Sequence, residues 1–259
     1  MNSRSIPFEK IFNARDLGGM RTVQGHVIAP GHLLRSANLA GATEADRRLL
    51  QERYRLAKII DLRTQAERDE KPDAVIADSE NLPIPIFDVA TAGISHEREN
   101  RQEQLLTVVP KMGQLYRKMV TDPACREQLG IAARCVMGHD FSKGGVLWHC
   151  TEGKDRCGLL CAVLLTALGV DRGTITQDYL LTNEVNGPKA EMYYQGMLSD
   201  GNTEAEAAVV RDIFLAKEEY LNEAFSAIDE LYQDDTAFLH EGLHIPQDLI
   251  QQFQDSVLL

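Results

Sequence analysis

The segment VLWHCTEGKDRCGLLCAVLLTALG, residues 146–169, decides the fold of this chain. It opens with three apolar, strand-like residues. It closes with an apolar run, 159–168, that is typical of a buried helix and precedes Gly169, a residue type favoured just after a helix. The polar residues between the two runs are predicted to form a short loop. A strand, a tight loop and a buried helix in this order predict the centre of an α/β domain.

The loop carries the residues of an anion site with a nucleophile at its floor. Backbone N–H groups at the start of a helix bind phosphate dianions, and the same environment stabilises a thiolate at Cys150. Arg156, six residues later, offers a planar fork for two phosphoryl oxygens. Gly153 allows a tight turn, and Gly158 allows the helix to start close to the strand. The alternative is an inert cysteine buried in a tight turn.

The sequence around this segment alternates between strand and helix patterns. Short strand-like runs cover residues 32–35, 57–62, 81–87 and 145–149. A helix with a capping-box-like start, Thr43 followed by Asp46, lies between the first two runs. Residues 96–139 are predicted to be mainly helical, with Pro110 and Pro123 breaking or beginning helices. The alternation predicts a central sheet flanked by helices.

The last third of the chain is predicted to be a helical extension. Helical patterns cover residues 172–183, 187–198, 203–222 and 223–233, and the clearest turn is Asp200-Gly201-Asn202. No obvious linker precedes the extension, so we predict a single domain over residues 1–259. Within it, the α/β part covers roughly residues 10–185 and the extension roughly residues 186–259.

Composition and charge limit the function classes. The chain of 259 residues is 44% hydrophobic and 25% charged, which is typical of a globular enzyme. Its net charge of −12 would repel nucleic acids and anionic membranes, and it contains neither a secretory signal pattern nor a long apolar run. Five cysteines without a framework spacing suit a reducing cytosol rather than a disulfide scaffold or a zinc site. We therefore expect a cytoplasmic protein without metal, cofactor, nucleic-acid partner or stable membrane insertion. Export without a signal peptide and the oligomeric state stay open.

Four segments resemble the cysteine-dependent protein tyrosine phosphatases. His149 to Gly158 is similar to the H-C-x-x-G-K-D-R-T-G loop of their atypical bacterial branch. Three further segments match elements of that branch in the expected order: Asn13 to Gly19 resembles N-x-R-D-L-G-G, Leu34 to Ala37 its R-S segment, and Ile60 to Arg63, with Glu67 and Pro72, its D-L-R-x-x-x-E turn. The resemblance implies a tyrosine-phosphatase-like fold, with a mostly parallel central sheet flanked by helices.

The resemblance also implies a role for each residue of the loop. Cys150 is expected to form a cysteinyl-phosphate, Arg156 to bind the phosphoryl group, and His149 to help hold the thiolate state. Asp155 is expected to be the general acid that protonates the leaving oxygen. Asp88 is the alternative acid, because other tyrosine phosphatases carry this group on a separate loop. The other loop residues are expected to bind substrate: Thr151, Glu152, Gly153, Lys154 and Cys157.

Three loop side chains bear on substrate range and redox behaviour. Lys154 adds a cation, which in the branch accompanies tolerance for phosphoinositides; a solvated lysine is the alternative. Glu152 would disfavour polyanionic substrates if it pointed inward. Cys157 stands where the branch has threonine or serine. Since a thiol is a weak donor, breakdown of the cysteinyl-phosphate is expected to be slower; alternatively, Cys157 or Cys161 captures an oxidised Cys150 as a disulfide.

Other residues are expected to support the site. Arg15 and Asp16 precede a glycine turn and are expected to brace the loop from below. Asp61 and Arg63 end a strand-like run, where ligand crevices form in α/β sheets; structural support is the first interpretation for them. In the related enzymes, helices of the extension form a lid. The cluster of methionines and tyrosines at 192–197 suits either a lid or core packing.

The sequence therefore predicts a phosphomonoester hydrolase that acts on phosphotyrosine proteins through a cysteinyl-phosphate. Phosphoserine, phosphothreonine and phosphoinositides are extensions of this hypothesis, so the expected partner is a phosphorylated protein or a phosphoinositide. Two alternatives stay open. One is a catalytically weak phosphate-binding module, and the other is a different cysteine-loop enzyme, such as a sulfur transferase or an arsenate reductase.

Overall fold

A computed structural model describes residues 4–87 and 112–259 of the chain. The strands of this part are β1 Arg15–Asp16, β2 Leu33–Ser36, β3 Lys58–Asp61, β4 Glu80–Pro83 and β5 Val146–His149. They form one sheet in the order β1-β2-β5-β3-β4. The pairs that join β2, β5, β3 and β4 are parallel, whereas β1 pairs antiparallel with β2 at one edge. The predicted mostly parallel sheet is confirmed, and β1 is an addition that the sequence pattern did not indicate.

Helices flank the sheet on both faces. The longer ones are α1 Glu44–Glu52, α2 Gln65–Glu70, α3 Met112–Thr121, α4 Pro123–Met137, α5 Asp155–Ala167, α6 Arg172–Leu180, α7 Thr182–Ser199, α8 Glu204–Phe214, α9 Glu218–Tyr232 and α10 Gln247–Val257. The capping box at the start of α1 is confirmed, because the side chain of Thr43 accepts from the amide of Asp46 and the reverse bond is also present. Asp122 caps α4, which begins at Pro123 as predicted. No described helix is long and apolar enough to cross a bilayer.

The central strand β5 separates two apolar clusters. Leu147 pairs with Leu34 of β2 and Ile59 of β3, and all three side chains pack in the cluster on the α1 side. Val146 and Trp148, the neighbours of Leu147, belong to the larger cluster on the opposite face together with most of α5. This alternation is what a strand buried on both faces requires. The predicted buried central helix is thus α5, and Gly169 follows its end with φ +80°.

The helical extension differs from the prediction at several places: α7 begins at Thr182, before the predicted residue 187, α10 was not predicted, and one predicted helix is broken. The sequence pattern predicts one helix over residues 203–222, whereas α8 ends at Phe214 and α9 begins at Glu218. Side chains from elsewhere donate to the carbonyl oxygens of residues 213–216 at this break: Lys154 to Ile213 and Leu215, Asn186 to Phe214, and Asn183 to Ala216. These donors replace the amides of a continuing helix, so the chain can turn there.

Helices α7 and α8 form a hairpin with an apolar cluster of its own. Members of this cluster include Ala190, Met197, Ala207, Val210, Ile213 and Phe214. The ring of Tyr193 stacks on that of Phe214, with 4.5 Å between centroids, while Met192 is 62% exposed. Most of the predicted methionine and tyrosine cluster therefore packs inside the α7–α8 hairpin.

Candidate active site

The loop after β5 is shaped by a glycine that nothing larger can replace. Strand β5 brings Cys150 to the carboxyl edge of the sheet, and α5 begins at Asp155; we call residues 150–154 the Cys150 loop. Gly153 has φ +65°, and a Cβ atom there would lie 2.6 Å from both the carbonyl carbon and the oxygen of Ser36. Both the backbone angle and the close approach to β2 therefore require glycine.

The carbonyl groups of the Cys150 loop are held on its outer side. Three side chains donate to them: Asn38 to Thr151 (2.9 Å), Asn13 to Glu152 and Gly153 (both 3.0 Å), and Arg35 to Gly153 (2.9 Å). In a trans peptide the C=O and N–H groups point in opposite directions. The amides of residues 152–154 therefore face the inner side of the loop, beside the start of α5, which is the arrangement of an anion-binding nest.

Cys150 is buried, and its surroundings favour the thiolate. Burial raises the pKa of this thiol, but hydrogen bonds from the side chain and amide of Cys157 and the charge of Arg156 outweigh burial and lower the pKa to about 6. Burial and the neighbouring Cys150 sulfur raise the pKa of Cys157 well above its usual value. Cys157 therefore stays protonated. Its single S–H proton can go to the Cys150 sulfur or to the carbonyl oxygens of Ser36 and Trp148, which lie 3.7 and 3.9 Å from its own sulfur. Cys157 stands where the related phosphatases are expected to have a hydroxyl.

We expect the reactivity of Cys150 to follow this lowered pKa. Alkylation by iodoacetamide uses the thiolate, so its rate at Cys150 should rise with pH and be half-maximal near pH 6. Cys157→Ala removes a donor to the thiolate and should move this midpoint to higher pH. Mass spectrometry of the Cys150 peptide measures both curves. In the unchanged protein, a midpoint in the range of an ordinary free thiol would contradict the lowered pKa of Cys150. In Cys157→Ala, an unchanged midpoint would contradict the donor role of Cys157.

Arg156 is held beside Cys150 by Glu67 of α2. Its two terminal nitrogens donate to the two carboxylate oxygens of Glu67, each at 2.7 Å. The hydroxyl of Thr151 also donates to Glu67. Burial opposes ionisation of Glu67, but the bonds from Arg156 and Thr151 lower its pKa far below the usual value. The paired carboxylate fixes the plane of the guanidinium, which a phosphoryl-binding arginine requires.

Two charged side chains of the Cys150 loop contact the α7–α8 hairpin. The Lys154 ammonium is buried and donates to the carbonyl oxygens of Ile213 and Leu215, at the end of α8. The Glu152 carboxylate accepts from Lys189 of α7 at 2.7 Å. Lys154 is therefore not a solvated surface lysine, and Glu152 is paired with the hairpin. Such contacts place the hairpin directly beside the loop, as a lid would be.

Asp155 is the first residue of α5, and its charge acts on the Cys150 thiol, where it opposes the lowering of the pKa. Its Oδ1 atom accepts a hydrogen bond from the hydroxyl of Tyr116 at 2.7 Å and lies 3.4 Å from the Lys154 ammonium. The side chain keeps 13% of its surface exposed, so one part of it stays accessible. A partly accessible carboxyl beside a thiolate and an anion nest has the position that a general acid needs.

Comparison with known proteins agrees with this geometry. The profile of the tyrosine phosphatase family matches residues 6–259. The chain belongs to the tyrosine phosphatase family. It is 28% identical over 243 residues to a protein assigned as a tyrosine-protein phosphatase in Cupriavidus necator, covering 93% of this chain and 84% of that protein. It is 27% identical over 263 residues to the triple specificity protein phosphatase PtpB of Mycobacterium tuberculosis, covering 89% of this chain and 91% of PtpB. The predictions of a phosphatase fold and of a tyrosine phosphatase activity are thereby confirmed.

Arg15 and Asp16 of the phosphatase serve different parts of the structure. Arg15 donates to the side-chain oxygen of Asn13 at 2.7 Å, and Asn13 in turn holds the Cys150 loop. Asp16 accepts from the amides of Gly18 and Gly31, at 2.9 and 2.8 Å, and so braces the turns that precede β2. Arg15 therefore supports the Cys150 loop indirectly, through Asn13. The bonds of Asp16 hold the turns around Gly18 and Gly31 instead.

A buried carboxylate of α6, Asp178, gathers three arginines of the phosphatase. Its oxygens lie 3.1 Å from Arg4, 3.4 Å from Arg15 and 3.3 Å from Arg35. Arg35 also donates to the carbonyl of Gly153, so this cluster carries more positive than negative charge directly beneath the Cys150 loop. A buried excess of positive charge there favours a thiolate and a bound phosphate dianion.

The predicted supporting residues Asp61, Arg63 and His149 form one buried group with Asp73. Arg63 donates to both oxygens of Asp61, at 2.9 and 2.8 Å, and to Asp73 at 2.6 Å. Burial lowers the pKa of His149, but the charges of Asp61 and Asp73 outweigh burial and raise it. His149 and the two aspartates have the atom types of a metal site within 4.8 Å of one another. The Arg63 guanidinium already binds both carboxylates, so the group fits a charge-balanced support better than a metal site.

The sequence patterns identified Cys150, Asp155 and Arg156 as the candidate reacting residues but missed several of their partners. Asn13 and Glu67 lie in the matched segments, so their positions were a usable signal. Tyr116 and Asp178 lie in ordinary helical patterns and have no such signal. Asp88, the alternative acid, lies outside the described residues, so its place relative to Cys150 is open.

Proposed function

We propose that the phosphatase works through a cysteinyl-phosphate on Cys150, with Asp155 as general acid. The observation that supports this most directly is the buried Cys150 thiol, whose pKa is lowered to about 6 by Cys157 and Arg156. A thiolate at neutral pH inside an anion nest is a nucleophile positioned against a bound phosphoryl group.

The proposed reaction has two steps. The Cys150 thiolate attacks phosphorus, the S–P bond forms, and the bond from phosphorus to the leaving oxygen breaks while Asp155 gives that oxygen its proton. A water molecule then attacks phosphorus, the Asp155 carboxylate takes a proton from the water, and the S–P bond breaks to return the thiolate. Arg156 and the amides of the Cys150 loop hold the phosphoryl oxygens through both steps.

Phosphotyrosine proteins are the leading substrates, and we propose slower turnover of other phosphoesters. The relative PtpB is named a triple specificity protein phosphatase, which supports a substrate range wider than phosphotyrosine for this chain. Lys154 is the cation that would serve a second phosphate of a phosphoinositide, but its ammonium is bound by carbonyl oxygens of the α7–α8 hairpin. A phosphoinositide would therefore have to compete with the hairpin for Lys154.

Two other functions have less support. A catalytically weak phosphate-binding module would not need a thiol whose pKa is lowered to about 6. A sulfur transferase or arsenate reductase would use the same nucleophile, but the family match over residues 6–259 favours the phosphatase.

The acid role of Asp155 predicts a dependence on the leaving group. Asp155→Asn should lower kcat on phenyl phosphate by about 10²-fold or more, because phenolate needs a proton to leave. The loss on p-nitrophenyl phosphate should be much smaller, since p-nitrophenolate leaves as a weak base. Asp140→Asn, at an exposed turn before β5, is the control. Equal losses on both substrates would remove Asp155 from the acid role.

A further inference from the structure

The side chain of Asp155 is held by a tyrosine of α3, a helix that supplies no group to the proposed reaction. Tyr116 of α3 is fully buried, and its hydroxyl donates to Oδ1 of Asp155 at 2.7 Å. The hydroxyl of Tyr179, on α6, lies 2.7 Å from that of Tyr116, and the two rings meet edge to face with 6.0 Å between centroids. Two tyrosines from separate helices thus end in a chain of hydrogen bonds on one carboxyl oxygen.

The direction of this chain is fixed by the proton count. A tyrosine hydroxyl has one proton, and Tyr116 uses its proton in the hydrogen bond to Asp155. In the bond between the two tyrosines, Tyr179 must therefore be the donor and Tyr116 the acceptor. Burial, the largest cause, raises the pKa of both phenols well above the usual value. Both hydroxyls therefore stay protonated at neutral pH, and each bond polarises the next.

We propose that Tyr116 is a positioning residue for the general acid, with Tyr179 behind it. Oδ1 of Asp155 is occupied as an acceptor, so the transferable proton resides on Oδ2, and the carboxyl group is held in one orientation. This inference deepens the proposed function and rests on the assignment of Asp155 as the acid.

The same bond acts during proton transfer. When Asp155 gives up its proton it becomes a carboxylate, and a hydrogen bond to an ionised acceptor is stronger than one to a neutral acceptor. Tyr116 at 2.7 Å and the Lys154 ammonium at 3.4 Å both face Oδ1, in a site of low exposure. The hydroxyl therefore stabilises the product of proton transfer more than the reactant, which assists departure of a basic leaving group.

The test removes single hydroxyl groups and compares leaving groups. Tyr116→Phe should lower kcat on phenyl phosphate about 10-fold, with KM unchanged and a loss of only about 2-fold on p-nitrophenyl phosphate. Tyr179→Phe keeps the bond to Asp155 and should show the same selectivity with a smaller loss, about 3-fold. Tyr220→Phe is the matched control, because its ring lies 6.1 Å from that of Tyr116 while its hydroxyl is directed to the carbonyl of Asp212.

The outcomes separate this inference from the proposed function. If Asp155→Asn loses rate selectively on phenyl phosphate and Tyr116→Phe does not, the positioning role is wrong and the acid assignment stands. If Asp155→Asn shows no selectivity, both fall together. In the Asp155→Asn background, adding Tyr116→Phe should cause no further loss of kcat on phenyl phosphate relative to p-nitrophenyl phosphate, because both changes remove the same proton donation to the leaving group. Should Tyr116→Phe fail to fold, Tyr179→Phe decides the question, and an unselective loss in that variant overturns the proposal.

Discussion

Cys150→Ser should abolish the hydrolysis of p-nitrophenyl phosphate, with a loss of about 10⁴-fold or more in kcat. The surroundings of Cys150 favour a thiolate: against the effect of burial, the thiol and amide of Cys157 and the charge of Arg156 together lower its pKa to about 6. A serine hydroxyl in the same place stays protonated at neutral pH, because an alcohol is a far weaker acid than a thiol. The variant should therefore keep the anion nest and lose the nucleophile.

The matched control is Cys135→Ser on α4, which changes a half-buried free thiol elsewhere in the fold. Both variants are compared with the unchanged enzyme by release of inorganic phosphate from phosphotyrosine and phosphoserine peptides and from phosphoinositide vesicles. All three activities should disappear in Cys150→Ser if they share one nucleophile. Turnover that persists in Cys150→Ser while Cys135→Ser behaves normally would refute the cysteinyl-phosphate mechanism.

Arg156→Lys should lower kcat/KM by about 10³-fold although it keeps the charge. Arginine offers two parallel donors in one plane, and Glu67 fixes that plane by bonds of 2.7 Å to each terminal nitrogen. A lysine ammonium cannot reproduce the fork, and it would pair with Glu67 as a point charge. The phosphoryl group would then lose its planar partner in the transition state.

Inhibition by inorganic phosphate gives a second measurement of this effect, because it reports anion binding without chemistry. The inhibition constant should rise in Arg156→Lys and stay unchanged in Arg117→Lys. Arg117 is an exposed arginine of α3 that pairs with Glu230, so its replacement tests the charge-preserving change itself. Retained phosphate affinity together with normal turnover in Arg156→Lys would show that the fork is dispensable.

The sheet could be predicted because its strands are short, apolar and close to motifs. Strands β2, β3 and β5 lie within a residue or two of the predicted runs. Strand β4 ends at Pro83, earlier than predicted, although the amides of Ile84 and Ile86 still donate to the carbonyl oxygens of Asp61 and Leu62, at 2.8 and 3.5 Å. The break between α8 and α9 could not be predicted, since it depends on donors such as Lys154 that lie about 60 residues away in sequence.

The candidate site likewise has residues that the local sequence indicates and residues that only the fold brings together. Cys150, Asp155 and Arg156 lie within one contiguous decapeptide, so its glycines, its strand-to-helix setting and its resemblance to a known loop were informative where spacing alone was weak. The residues that hold them act across the fold: Tyr116 is 39 positions from Asp155, and Asn38 is 113 positions from Thr151. Ordinary helical and polar patterns carry no information about such contacts. Only the packing of α3 and β2 against the start of α5 reveals them.

The separate apolar cluster of the α7–α8 hairpin has a consequence for local stability. Because Tyr193, Phe214 and their neighbours bury each other, much of the apolar packing of the hairpin is internal to it. Its contacts with the Cys150 loop are polar, namely Glu152 with Lys189 and Lys154 with two carbonyl oxygens. Separation of the hairpin from the loop would break this ion pair and these hydrogen bonds, so we expect its free energy to depend on ionic strength and on competing anions.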